Sequence, residues 1–114
     1  MSLDLWSQIE EVTRLLDASL REAKQRGAKC VLAEAAYYSA KAQTAFALKA
    51  DGMSGTLINI VIKGHPDVVD KMLEFHAAQV EYENAREARN VYKKKLDTLR
   101  EQYQREWSQS GTRD

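Results

Sequence analysis

Residues that stop helices constrain this chain more than any other feature of it. Of its five glycines and one proline, Gly52, Gly55, Gly64 and Pro66 cluster in the middle. The cluster divides the sequence into two long helical stretches and a short connecting segment.

The flanking stretches have the spacing of amphipathic helices. Leu5, Ile9, Val12, Leu16, Leu20 and Ala23 recur at intervals of three and four, which aligns them on one helical face. The same steps continue through Gly27, Val31, Glu34, Tyr38, Ala42 and Ala45, predicting one helix over about residues 3–50. Gly27 weakens it, since a glycine inside a helix costs roughly 1 kcal/mol against alanine. A kink, a break or a close helix crossing would each account for a glycine there. Ser2 or Asp4 suits the start, and Gly52 suits a left-handed end.

Pro66 fits the first turn of a second helix over about residues 66–108. Its stripe runs through Val69, Leu73, His76 or Ala77, and Val80, then Ala85, Ala88, Tyr92, Leu96, Leu99, Tyr103 and Trp107. The later steps average about 3.67 residues per turn, the period of straight or slightly right-handed packing rather than of a heptad seam. Between the helices, about residues 55–63, lie Leu57, Ile58, Ile60, Val61 and Ile62. Nothing strand-like is available to pair with them, so they read as a short buried helix capped near Ser54 and ended by Gly64. Residues 109–114 lack apolar side chains and are expected to fray.

The fold class expected is all-α: one domain over residues 1–114, a long antiparallel helical hairpin with a short connecting helix. Helices of about 70 Å and 65 Å, at about 1.5 Å per residue, match in length and would bring Trp6 and Trp107 to the same open end. Two helices bury one stripe each, yet the stretch from Ala28 to Ala50 holds nine alanines together with Val31, Leu32, Tyr37, Tyr38, Phe46 and Leu48. It is apolar on more than one face, which predicts a homodimer forming a four-helix bundle, or another partner. Alternatively, the short central helix folds back over the extra face in a monomer. Val31, Tyr38, Phe46, Leu57, Ile58 and Val61 are the candidate interaction residues.

Composition narrows the function classes. Lys and Arg total 17, as do Asp and Glu, so no global field favours a polyanion. Locally, residues 86–105 hold seven basic side chains against three acidic ones, a net of four positive charges. Arg86, Arg89, Lys93, Lys94, Lys95 and Arg100 are therefore the candidate nucleic-acid contacts, with Tyr92 and Tyr103 as stacking residues. Residues 1–22 carry five acids against two bases, and an antiparallel hairpin would set these opposite charges side by side.

No glycine loop suits a phosphate, no carboxylate dyad is spaced for acid–base work, and His65 and His76 lack partners at metal-ligand spacing. The expectation is a protein with no cofactor, no metal, no small-molecule substrate and no catalytic residues. Cys30 reads as a buried structural thiol rather than a nucleophile. No apolar run approaches the roughly 20 residues of a membrane span, and nothing at the N-terminus reads as a signal peptide. A cytoplasmic location is expected.

Several motifs carry a resemblance: Ala-Glu-Ala-Ala-Tyr-Tyr at 33–38, Leu-Lys-Ala-Asp-Gly-Met at 48–53, Thr-Leu-Ile at 56–58, Lys-Gly at 63–64 and Arg-Glu-Trp at 105–107. Over residues 20–107 the chain resembles a group of small helical proteins encoded by phages and prophages of Gram-positive bacteria, often near recombination genes. The resemblance implies a non-enzymatic phage accessory protein that binds a protein of host or phage. An inhibitor of a host defence, replication or recombination factor would fit. The alternative is a nucleic-acid-binding accessory factor in recombination that uses the 86–105 strip.

Overall fold

The computed structural model describes residues 2–112, with side chains placed for residues 4–109. Helix α1 spans Ser2–Ala50, α2 spans Gly55–Val61, a single 3-10 turn covers Ile62–Gly64, and α3 spans Pro66–Thr112. The described chain is all-helical, with a short helix between two long ones. Residues 109–112, expected to fray, continue α3; residues 113–114 lie outside the described residues.

The corner follows from its punctuation. Gly52 adopts φ of 90°, open to glycine at little steric cost. Its N–H donates to the Lys49 carbonyl and that of Met53 to the Leu48 carbonyl, a Schellman arrangement that satisfies two of the last carbonyls of α1. Ser54 caps α2, its side chain accepting from the Leu57 N–H at 3.2 Å. His65 caps α3: its carbonyl accepts from Val68 and Val69, and its Nδ1 accepts from the Asp67 N–H at 3.3 Å. The imidazole therefore serves as backbone punctuation.

The chain forms two compact units: Met1–Lys24 with Glu83–Asp114, and Gln25–Tyr82. In the first, Leu5, Ile9 and Val12 of α1 pack with Leu96 and Leu99 of α3, and Leu16 and Tyr103 flank them. The Trp6 ring lies 5.8 Å from Tyr103, and its Nε1 donates to Glu10. Trp107, expected at the same open end as Trp6, is exposed.

In the second unit Tyr37 stacks on Phe75 with centroids 6.0 Å apart, and Arg26 bonds Glu81 at 2.9 Å. Residue numbers rise on α1 as they fall on α3, so the segments run antiparallel. Ile58 and Ile62 turn inward, whereas Leu57 and Ile60 are exposed, so the connecting helix is only half the buried element expected.

The seam departs from the sequence reading. On α1 the buried and half-buried line in the first unit is Leu5, Ile9, Val12, Leu16, Ser19 and Ala23; in the second it is Arg26, Cys30, Ala33, Tyr37, Ala40 and Thr44. On α3 it is Val68, Lys71, Phe75, Ala78 and Tyr82 in the second unit, and Ala85, Arg89, Tyr92, Leu96, Leu99, Tyr103 and Glu106 in the first. Steps of three and four alternate throughout, a period of about 3.5 that belongs to left-handed coiled-coil packing. The expected period of about 3.67 was too long, because over residues 85–107 it followed Ala88 and Trp107, where the half-buried residues are Arg89 and Glu106. Elsewhere Leu20, Val31, Tyr38, Leu73 and Val80 lie outside, while Ser19, Ala33, Phe75 and Ala78 lie on the seam.

Gly27 does not break α1, which runs from Ser2 to Ala50, and it admits a ring. A Cβ built there would stand 3.1 Å from Tyr82 Cε1, tighter than ordinary contact. Gly27→Ala gains up to about 1 kcal/mol of helix propensity but must displace that ring, so it is expected to be close to neutral. In a Tyr82→Ala background the same change should recover about 1 kcal/mol, measured as a double-mutant cycle in urea. Equal gains in both backgrounds would show that the ring does not hold this glycine in place.

Candidate interaction face

Opposite its seam, α1 presents two different surfaces. Between Ala28 and Phe46 the outward sector consists of Ala28, Val31, Leu32, Ala35, Tyr38, Ser39, Ala42, half-buried Ala45 and Phe46, without a formal charge, and Lys49 ends it at the next outward position. In the first unit the equivalent heptad positions include Glu10, Glu11, Arg14, Asp17, Arg21 and Lys24. One helix thus carries an ordinary solvated face over one stretch and an apolar one over the next. Val31 is 69% exposed, Leu32 71%, Tyr38 56% and Phe46 78%. Contiguous apolar exposure of this kind marks a contact surface more often than scattered single residues do.

Of the residues expected to form an interaction surface, Val31, Tyr38 and Phe46 share this sector, and Leu57 is exposed on α2. Val61 is half-buried. Ile58 is the correction: at 7% exposure it belongs to the interior, because α2 turns that side inward. Sequence reasoning left out Leu32 and the line Ala28, Ala35 and Ala42. Their seven-residue recurrence was the signal available.

The basic residues do not share one face. Arg86, Lys93 and Arg100 recur at seven-residue intervals along one edge of α3, Lys94 points outward, Lys95 lies on the other edge, and Arg89 is half-buried on the seam. Two of the acids expected to complement them have partners along α1: Glu10 accepts from the Trp6 indole and Glu11 pairs with Arg14. In the second unit Arg26 and Lys29 approach Glu81 across the two helices at 2.9 and 3.3 Å. The hydrogen bond from Lys29, followed by its charge and by Arg26, holds the Glu81 carboxyl below its usual range.

The remaining chemistry is sparse. Cys30 is half-buried on the seam rather than enclosed, and His76 is exposed. A shallow cleft lined by Asp51, His65, Asp67, Asp70, Lys71 and Glu74 opens beside the start of α3. Its imidazole nitrogen Nδ1 is occupied by the helix cap. Among the described residues no three His, Cys, Asp or Glu side chains converge as metal ligands, and no helix is long and apolar enough to cross a membrane. Compared with protein-family models, curated proteins and solved structures, the chain matches none.

Proposed function

We propose that this chain is a non-enzymatic interaction protein that engages another protein through the outer sector of α1 between Ala28 and Phe46. The observation that carries the reading is the change of chemistry along α1, from a charged outer sector to one with no charge. A helix side facing only water has no physical reason to hold Val31, Leu32, Tyr38 and Phe46 together. The motifs at 33–38, 48–53 and 105–107 support a setting in the bacterial cytoplasm, as an accessory of a phage or prophage acting on host or phage machinery.

The test is affinity capture from phage-infected cells with the wild-type chain and with Leu32→Glu/Phe46→Glu, both verified as helical by circular dichroism. A protein retained by the wild type in stoichiometric amount should be lost from the variant. The same recovered set with both chains would remove the reading.

A further inference from the structure

We infer that the occupant of this face is a second copy of the chain, packed antiparallel so that Ala35 of each copy opposes Ala42 of the other. The inference rests on the 28–46 sector being an interaction surface, and it names the partner.

Area supports it first. With side chains of roughly 150–250 Å² for the aromatics, the recorded exposures of Val31, Leu32, Tyr38 and Phe46, together with the outward alanines, amount to about 700 Å² per copy. A stable interface of standard size takes about 800 Å² from each partner.

Self-complementarity supports it next. A two-fold interface must match its own reverse. With Ala35 opposite Ala42 of the partner copy, the axis falls between Tyr38 and Ser39. Leu32 then meets the partner copy's Phe46, Val31 meets its Ala45, and Tyr38 lies beside its own counterpart. Ala35 and Ala42 at the middle of the centre line let the helix axes approach to about 8 Å, and the line ends where Ala28 faces the partner copy's Lys49. Sliding one heptad, to Ala35 on Ala35, would carry Phe46 off the apolar sector and onto Gln25.

Charge at the rim selects the same register. Glu34 and Lys41 lie on one edge of the sector, seven residues apart and on either side of the axis. Reversal sets Glu34 of each copy opposite Lys41 of the other, so two opposite-charge pairs flank the apolar strip. Within its own copy Lys41 Nζ rests 5.2 Å from the Tyr37 ring centroid, which places the cation at this edge.

The experiment uses the full chain with Cys30→Ala, bearing Leu32→Cys or Phe46→Cys, under oxygen with a copper catalyst. A mixture of the two chains should form the disulfide-linked dimer. Leu32→Cys alone should not, because its copies stand about 20 Å apart along the helix in this register. Light scattering on the unmodified chain should give twice 13.0 kDa, falling to one copy for Leu32→Glu/Phe46→Glu with its helicity retained. A single-copy mass at all concentrations, or cross-linking of Leu32→Cys alone with none in the mixture, overturns the inference. If the chain is monomeric yet captures a foreign protein through this face, the homodimer falls and the interaction reading stands. If it dimerises as described and captures nothing else, the face remains an interaction surface and its partner is the second copy, so only engagement of a different protein falls.

Discussion

Replacing Phe75 by alanine is expected to lower the unfolding free energy by about 3–4 kcal/mol, in the lower part of the range of about 3–5 kcal/mol for a phenylalanine removed from a packed site. Phe75 is 8% exposed, lies on the α3 seam and stacks on Tyr37 with rings inclined by 25°. The change therefore removes both buried area and an aromatic contact, the latter contributing about 1 kcal/mol. Leu73 provides the comparison. It belongs to the sequence-derived stripe, yet it is 58% exposed, and Leu73→Ala should cost no more than about 0.5 kcal/mol. Urea unfolding followed by circular dichroism separates the two. Comparable losses at both positions would mean that the seam has been assigned to the wrong residues.

Leu96→Ala should have the next largest effect, a loss of about 2–3 kcal/mol. Leu96 is 4% exposed in the cluster formed with Leu5, Ile9, Val12 and Leu99. The figure is set toward the lower end because a seam between two helices is open on both flanks, so neighbours and water can enter the vacated space. Val91→Ala, at an exposed position five residues earlier on α3, should be nearly silent. A Leu96→Ala chain as stable as the wild type would show that this cluster does not hold α1 against α3.

Punctuation was the part of the fold most readable from sequence. Gly52 in the left-handed region, Ser54 as a side-chain cap and Pro66 opening α3 are local events, each decided by one residue's own stereochemistry. The seam was readable only where size and burial coincide, as at Leu5, Ile9, Val12, Leu96 and Leu99. Beyond Leu16 they separate. The seam takes Ser19, Ala33 and Ala40, while Leu20, Val31 and Tyr38 stand outside. A periodicity search finds the most hydrophobic side of a helix, and here that is not everywhere the side packed within the chain. The same separation explains how far the candidate face could be read. The stretch holding Val31, Tyr38 and Phe46 was recognisable as apolar on more than one face, although Val31 and Tyr38 were placed on the inward stripe. Their grouping with Leu32 and the alanines became visible only once the heptad fixed which direction is outward.

No side chain among those described is sealed wholly from water; Val68, at 2% exposure, comes nearest. Unfolding then changes the hydration of comparatively little apolar surface, and the heat-capacity increment per residue should be correspondingly small. The consequence is a flattened free-energy dome, with stability that drifts slowly with temperature around its maximum.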